Sequence, residues 1–321
     1  MIRRKKFLSV ILTAAMELPV IPENVNAAGD YTRSSFQNST FADYIFGQYA
    51  YNKNGQPIDT NRDGRLSADE CNNVTQLAAT SLDVTSVQGI EYFPNLEVLE
   101  CSDNPRLTSL NISQNTKLKE VAVVNTAGSG LTSITIGNNS ALTSLILSNN
   151  NLSSINVSGC PNLDTLNVNG NRNLTSIDVS NFDTHNVLDM SGMFYGLKNA
   201  KHIDGLEHFD TSKCIQFDLM FGYCDSLEYL DLSSFDISSA TSLLAMFIKD
   251  FNLTTIYVNN NWDASNVGTT TFMFSGCSLL VGGNGLTYDS NKISGTYANY
   301  EDGYLTLAPT VTVKDNSSLF G

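Results

Sequence analysis

Leu142-Thr143-Ser144-Leu145-Ile146-Leu147-Ser148-Asn149-Asn150-Asn151-Leu152-Ser153-Ser154-Ile155-Asn156-Val157 holds two copies of one short pattern. Each copy reads L-x-x-[LIV]-x-[apolar], in which the last two apolar residues lie two apart and so point to one side of a strand. The asparagines between them suit a turn, because a short amide side chain hydrogen-bonds the turning backbone and tolerates left-handed dihedrals. A segment of this kind cannot bury its apolar side alone, so the pattern matters only if it recurs.

It does recur. Copies stand at Leu96–Cys101, Leu118–Val123, Leu142–Leu147 and Leu163–Val168, with starts 22, 24 and 21 residues apart, and a related series starts at Leu107, Leu131, Leu152 and Leu174. Each early coil therefore contains two strand-like segments separated by turns. From Leu174 the period lengthens to about 26, with starts at Leu174, Ala200, Leu227 and Leu253. A pair then joins it: Met193-Phe194, Met220-Phe221, Met246-Phe247 and Met273-Phe274, spaced by 27, 26 and 27. Such a coil fits a strand on one side and a short helix or turn on the other that packs Met-Phe inward as core filler. Coils stacked at ~4.8 Å pair their backbones and share one core. The expected fold is a β-rich α/β, right-handed leucine-rich-repeat solenoid with an N-terminal helical cap resembling an EF-hand.

The composition agrees. With 41% apolar and 16% charged residues in 321, the chain can fill a continuous core. Arg3, Arg4, Lys5 and Lys6, the apolar run Phe7 to Met16, and Val25 with Ala27 read as an export signal over 1–27, too short for a membrane span. The net charge is −14, and −16 without those residues, which hold four basic and two acidic side chains. An acidic surface repels phosphate backbones and anionic lipid, which argues against nucleic acid as a partner and against membrane insertion, and leaves basic proteins and cations open as partners. Six scattered cysteines include no C-x-x-C pair. Cys101 takes the place of Leu147 and Val168, and Cys224 that of Leu197, so they read as free core thiols. Nine N-x-[S/T] sequons mostly fall out of the repeat pattern.

The remaining organisation follows: a helical cap over 28–80, short repeats over 81–173, longer ones over 174–280, a C-terminal cap over 281–308 and the start of a further segment or tail over 309–321. The cap contains Asp59-Thr60-Asn61-Arg62-Asp63-Gly64-Arg65-Leu66-Ser67-Ala68-Asp69-Glu70, which matches D-x-[DN]-x-[DN]-G-x5-E at every constrained position. Asp59, Asn61, Asp63, the backbone of Arg65 and a bidentate Glu70 are the oxygen donors of a calcium loop, with Ser67 acting through water and Gly64 permitting the sharp turn. Phe41, Tyr44, Ile45 and Tyr49 suggest a helix before the loop, and Cys71 to Ala79 one after it. The cofactor expected is a structural calcium ion.

Catalytic chemistry has little to stand on. The histidines are His185, His202 and His208, without an H-E-x-x-H or a G-x-S-x-G elbow. The periodic aspartates Asp178, Asp183, Asp231 and Asp236 read as turn residues, and no enzyme is expected.

Residues 174–307 resemble the BspA-like leucine-rich-repeat surface proteins of bacteria, in "LTSIDVSNFDTHNVLDMSGMFYG", "LEYLDLSSFDIS" and "TTIYVNNNWDASNVGTTTFMFSGCSLLVGGNGLTYDS". The coil from Ala200 to Ser226 departs by lacking the full strand motif, and Asp250 replaces the small apolar residue after Met246-Phe247. The resemblance implies a secreted or cell-surface, adhesin-like protein without catalytic residues, binding an extracellular protein of the matrix, the mucosa or a bacterial surface. A monomer is expected, with its strand face displaying Glu100, Ala122, Ile146, Asn167, Asp178, Asp231 and Tyr257, flanked by Tyr229. The alternatives are a spacer that projects a C-terminal domain, and the non-catalytic part of a secreted hydrolase.

Overall fold

The computed structural model describes residues 30–125 and 129–309, so the export signal expected over 1–27 and all but the first residue of the segment expected over 309–321 lie outside the described residues. The strands are β1 (Tyr31–Thr32), β2 (Arg65–Leu66), β3 (Gln76–Ala78), β4 (Val98–Glu100), β5 (Ser109–Asn111), β6 (Glu120–Ala122), β7 (Ser133–Thr135), β8 (Ser144–Ile146), β9 (Thr165–Asn167), β10 (Tyr229–Leu232), β11 (Thr255–Val258) and β12 (Thr306–Leu307). Most hold only three or four residues, because each coil turns as soon as its middle apolar side chain has reached the core.

The coils form a β-solenoid of about eight turns of the leucine-rich-repeat type, with two parallel ladders flanking one core. The first ladder runs β3-β4-β6-β8-β9, in the register Leu77↔Leu99↔Val121↔Leu145↔Leu166. Beyond β9 it continues as single bridges, Asp189↔Gln216↔Ser242↔Thr269. The second ladder runs β5-β7, then Asn156↔Asp178↔Asp204, then β10-β11-β12. Its central residues Leu110, Ile155, Ile177, Ile203, Leu230 and Ile256 are buried in the same cluster as those of the first.

Between the ladders the chain turns, and buried amides hold the turns. Asn150 Nδ2 donates to Val123 O at 2.7 Å and to Leu147 O at 3.0 Å, while its Oδ1 accepts from Leu131 N and Asn125 Nδ2. Asn104 and Asn171 act likewise, so orphan backbone groups of neighbouring coils are satisfied without water. In the longer coils thiols take over part of this work: Cys224 Sγ lies 3.1 Å from Phe194 O, and Cys277 Sγ 2.9 Å from Phe247 O. All six cysteines are buried and free.

The Met-Phe pairs sit on turns, not helices, and point inward. Phe194, Phe221, Phe247 and Phe274 form a column with centroid separations of 5.7, 5.9 and 5.7 Å and near-parallel planes. One ring per coil at this spacing adds aromatic contact to area burial. Tyr304, fully buried, meets Phe274 edge-on at 5.2 Å and closes the column. The final strand is short: only Thr306 and Leu307 pair with β11.

At the other end, the helix Ser39–Ile45 buries Phe41, Ala42 and Ile45, whereas Tyr49 lies beyond it and is 83% exposed. The helix expected over Cys71–Ala79 is not formed. A helix covers Ala68–Asn72 only, and Gln76–Ala78 is β3, drawn into the first rung of the ladder by β4. The Ser39–Ile45 helix ends well before Asp59, so the loop is not framed by two adjoining helices as in an EF-hand. No helix among the described residues is long and apolar enough to cross a membrane.

Candidate interaction surfaces

Alternation along each strand leaves two outward rows per ladder. On the first ladder the rows are Gln76, Val98, Glu120, Ser144, Thr165 and Ala78, Glu100, Ala122, Ile146, Asn167. On the second, one row includes Asp178, Asp204, Asp231 and Tyr257, with Tyr229 two positions before Asp231. Glu228 N–H donates to Lys201 O at 3.0 Å, which sets Asp231 beside Asp204.

The strand face anticipated from the sequence is therefore two faces. Glu100, Ala122, Ile146 and Asn167 belong to the first ladder; Asp178, Tyr229, Asp231 and Tyr257 belong to the second. Both segments of a coil alternate in the same way, and after Leu174 the better-formed motif continues the second ladder. The first is then carried by the stretches just before each Met-Phe pair.

This change of coil breaks the first ladder. Asp189 pairs onward with Gln216, yet β9 reaches that coil only past its own end, through Val168 N–H to Met193 O and Gly170 N–H to Tyr195 O. At this step a cleft of about 430 Å³ opens between 164–167 and 186–191. Its walls include Ile146, Asp164, Thr165, Asn167, Leu188 and Asp189, and no lysine or arginine lines it. Leu188 is 55% exposed, and Ile215 on the next coil, its N–H donating to Leu188 O, is 40% exposed. Ligand sites are usually concave and combine apolar walls with a few placed polar groups. Ile146 and Asn167 were legible as surface residues; Asp164, Leu188 and Asp189 were missed, although the lengthened spacing near Leu174 marked the step.

The periodic aspartates are accounted for by turns. Asp231 Oδ1 accepts from Ser233 N at 3.0 Å, Asp236 Oδ1 from Ser238 N at 2.8 Å, and Asp178 Oδ1 from Ser180 N at 2.9 Å. The Ser180 hydroxyl and amide hold the Asp178 carboxyl below its ordinary range, and the side chain and amide of His185 do the same for Asp183. Each histidine has a carboxylate from its own coil near its ring: His185 with Asp183 at 2.7 Å, His202 with Asp204 at 3.6 Å and His208 with Glu207 at 3.5 Å.

In the N-terminal loop, Asp59 Oδ2 accepts from Gly64 N at 3.0 Å, Asn61 Oδ1 from Asp63 N at 3.0 Å, and Asp63 Oδ1 from Arg65 N at 2.8 Å. Glu70 takes hydrogen bonds from the amides and hydroxyls of Thr60 and Ser67. Burial opposes its ionisation, but these donors outweigh burial and leave its carboxyl below the usual value.

The model of a family described as "Mycoplasma protein of unknown function, DUF285" matches residues 149–282, less than half of the chain. No curated protein sequence matches. Among solved structures, internalin C2 from Listeria monocytogenes matches at 17% identity over 74% of this chain and 100% of its own, with a TM-score of 0.33. The L. monocytogenes internalin inlF matches at 16% over 75% and 96%, TM-score 0.27. The Leptospira interrogans leucine-rich-repeat protein LIC12759 matches at 16% over 70% and 62%, TM-score 0.28. Such scores establish no kinship, and the solenoid rests on the ladders above. No catalytic family is indicated.

Proposed function

We propose that this chain is a secreted or cell-surface binding solenoid, adhesin-like and non-catalytic, that engages an extracellular protein through the first ladder. The observation that carries this reading is the cleft at β9, where apolar Leu188 and Ile146 stand beside Asp164 and Asp189 with no basic residue among its lining. Apolar rims supply desolvation on contact, while the carboxylates select partners that present lysine or arginine. Stacked coils fix these side chains on a rigid frame, so little ordering entropy is lost on binding. The chain acts as a monomer in this reading.

The second ladder supports a second reading, because Tyr229 is 46% exposed and lies beside Asp231 and Tyr257. Binding of the full chain to immobilised matrix, mucin and bacterial-surface proteins separates the two. Leu188→Asp is expected to weaken capture at least about tenfold, as for loss of an interface anchor, whereas Tyr229→Ala with Tyr257→Ala leaves it unchanged. The reverse pattern transfers the site to the second ladder. Capture untouched by either change moves the site away from both surfaces, and no capture at all favours a spacer that merely projects another domain.

A further inference from the structure

The loop from Asp59 to Glu70 plays no part in either ladder, and its chemistry is unspent. Asp59 is only 7% exposed, and its Oδ2 is turned across the loop to Gly64 N–H, yet its Oδ1 is buried without any hydrogen-bond partner. A buried, unpartnered carboxylate oxygen is costly unless a cation meets it. Gly64 adopts φ +79°, which bends the loop back on itself. The loop's further oxygen donors in the pattern are the amide of Asn61, the carboxylate of Asp63, the carbonyl of Arg65 and the carboxylate of Glu70, itself 6% exposed. Among the described residues no three His, Cys, Asp or Glu side chains already converge on one point. The loop draws on amide and main-chain oxygens beside its carboxylates, the mixture of hard donors that suits calcium.

We infer that this loop binds one calcium ion and thereby locks the N-terminal end of the solenoid core. The lock is mechanical. Arg65 and Leu66 of the loop form β2, which pairs antiparallel with β1. Tyr31 of β1 stacks on Tyr92 at 3.8 Å, and Tyr92 belongs to the 3-10 turn Ile90–Tyr92 of the first coil. Ile58, just before the loop, and Leu66, within it, are fully buried. Ordering the loop therefore orders a strand, an aromatic stack and the lid over the first rung, where a solenoid otherwise exposes its core.

The test is calorimetric titration of the full chain with calcium chloride, with magnesium chloride as control, joined to hydrogen exchange with and without chelator. One saturable calcium site is expected, with Kd on the order of 10⁻⁴ to 10⁻³ M, as in extracellular loops of this kind. Calcium is expected to slow exchange across 58–70 and 31–32 and to leave 220–280 unchanged. Asp59→Ala should abolish the site, whereas Asp69→Ala, exposed and outside the ligand pattern, should keep it. Should Asp59→Ala fail to fold by circular dichroism, Asp63→Ala, at an exposed ligand position, decides in its place. Absence of saturable binding by the folded wild-type chain at about 10 mM calcium, ten times the weakest expected Kd, overturns the inference. So does binding that survives loss of the deciding aspartate.

Discussion

Asp250 offers the sharpest test of how the longer coils are packed. It is fully buried in the column Leu197, Cys224, Asp250, Cys277, where the other coils place leucine or cysteine. Its Oδ1 accepts from Cys224 N at 2.8 Å, and its Oδ2 has no partner. Burial first, and the nearby Asp225 charge after it, push its carboxyl well above the ordinary value, against the lowering effect of the Cys224 amide. The sign follows from proton uptake. The folded chain keeps a proton that the unfolded chain releases above pH ~3.9, so stability is full below that value and falls as pH rises towards the folded pKa. The slope is about 1.4 kcal/mol per pH unit in that window. Asp250→Asn keeps the shape and the acceptor but cannot ionise. The stability of variant minus wild type, measured by urea unfolding from pH 4 to 8, should grow at about that slope and then level off. It should reach about 1–3 kcal/mol in favour of the variant, the scale on which buried charges are relieved. Taking the difference cancels the repulsion among the many surface carboxylates. A flat difference across this range, or a variant less stable at every pH, would refute the assignment of a proton-holding carboxyl to this column.

Three further outcomes probe the stacking. Phe221→Ala opens the middle of the ring column and should cost about 3–5 kcal/mol in urea unfolding, whereas Phe272→Ala, at a half-exposed ring, should cost under about 1 kcal/mol. Asn150→Ala removes five hydrogen bonds from a buried turn, leaving Val123 O and Leu131 N unpaired, and should cost about 2–4 kcal/mol by thermal melting. Asn173→Ala, exposed, is the matched control near zero. Gly205→Ala should abolish soluble folding or cost more than about 3 kcal/mol, because its φ is +94° and a Cβ would lie 2.2 Å from Ser180 N. At Gly192, with φ +62° and the nearest atom at 3.8 Å, alanine should cost only the left-handed penalty of about 1–2 kcal/mol.

Much of the interior was readable from spacing. The Met-Phe pairs were recognisable as filler because they recur with the coil, and they are buried. Cys101 and Cys224 were recognisable as small hydrophobes because they share positions with Leu147 and Leu197, and they are buried and unpaired. The aspartates were recognisable as turn residues, and Asp178, Asp231 and Asp236 each accept from the amide two residues on. Less readable was the stretch Cys71–Ala79, where local composition favoured a helix but pairing with β4 prevailed over residues 76–78. The left-handed backbone of Leu219, Ala245 and Phe272 had no local signal either, since these positions hold φ of 52–59° only because the neighbouring coils turn with them.

Periodicity alone determined that the chain winds into stacked coils and which side chains face the core, because a strand's two-residue alternation and the coil's repeat are local properties that any observer of the residues can count. Which flank each strand occupies was decided only in three dimensions. Two segments per coil alternate identically, so nothing local distinguishes them. Their assignment depends on hydrogen bonds to the coil before and the coil after. The lengthening of the coil near Leu174 passes the longer strands to the other ladder and opens the cleft at β9. That outcome is a property of how coils of unequal length must stack, and it is absent from either coil taken by itself.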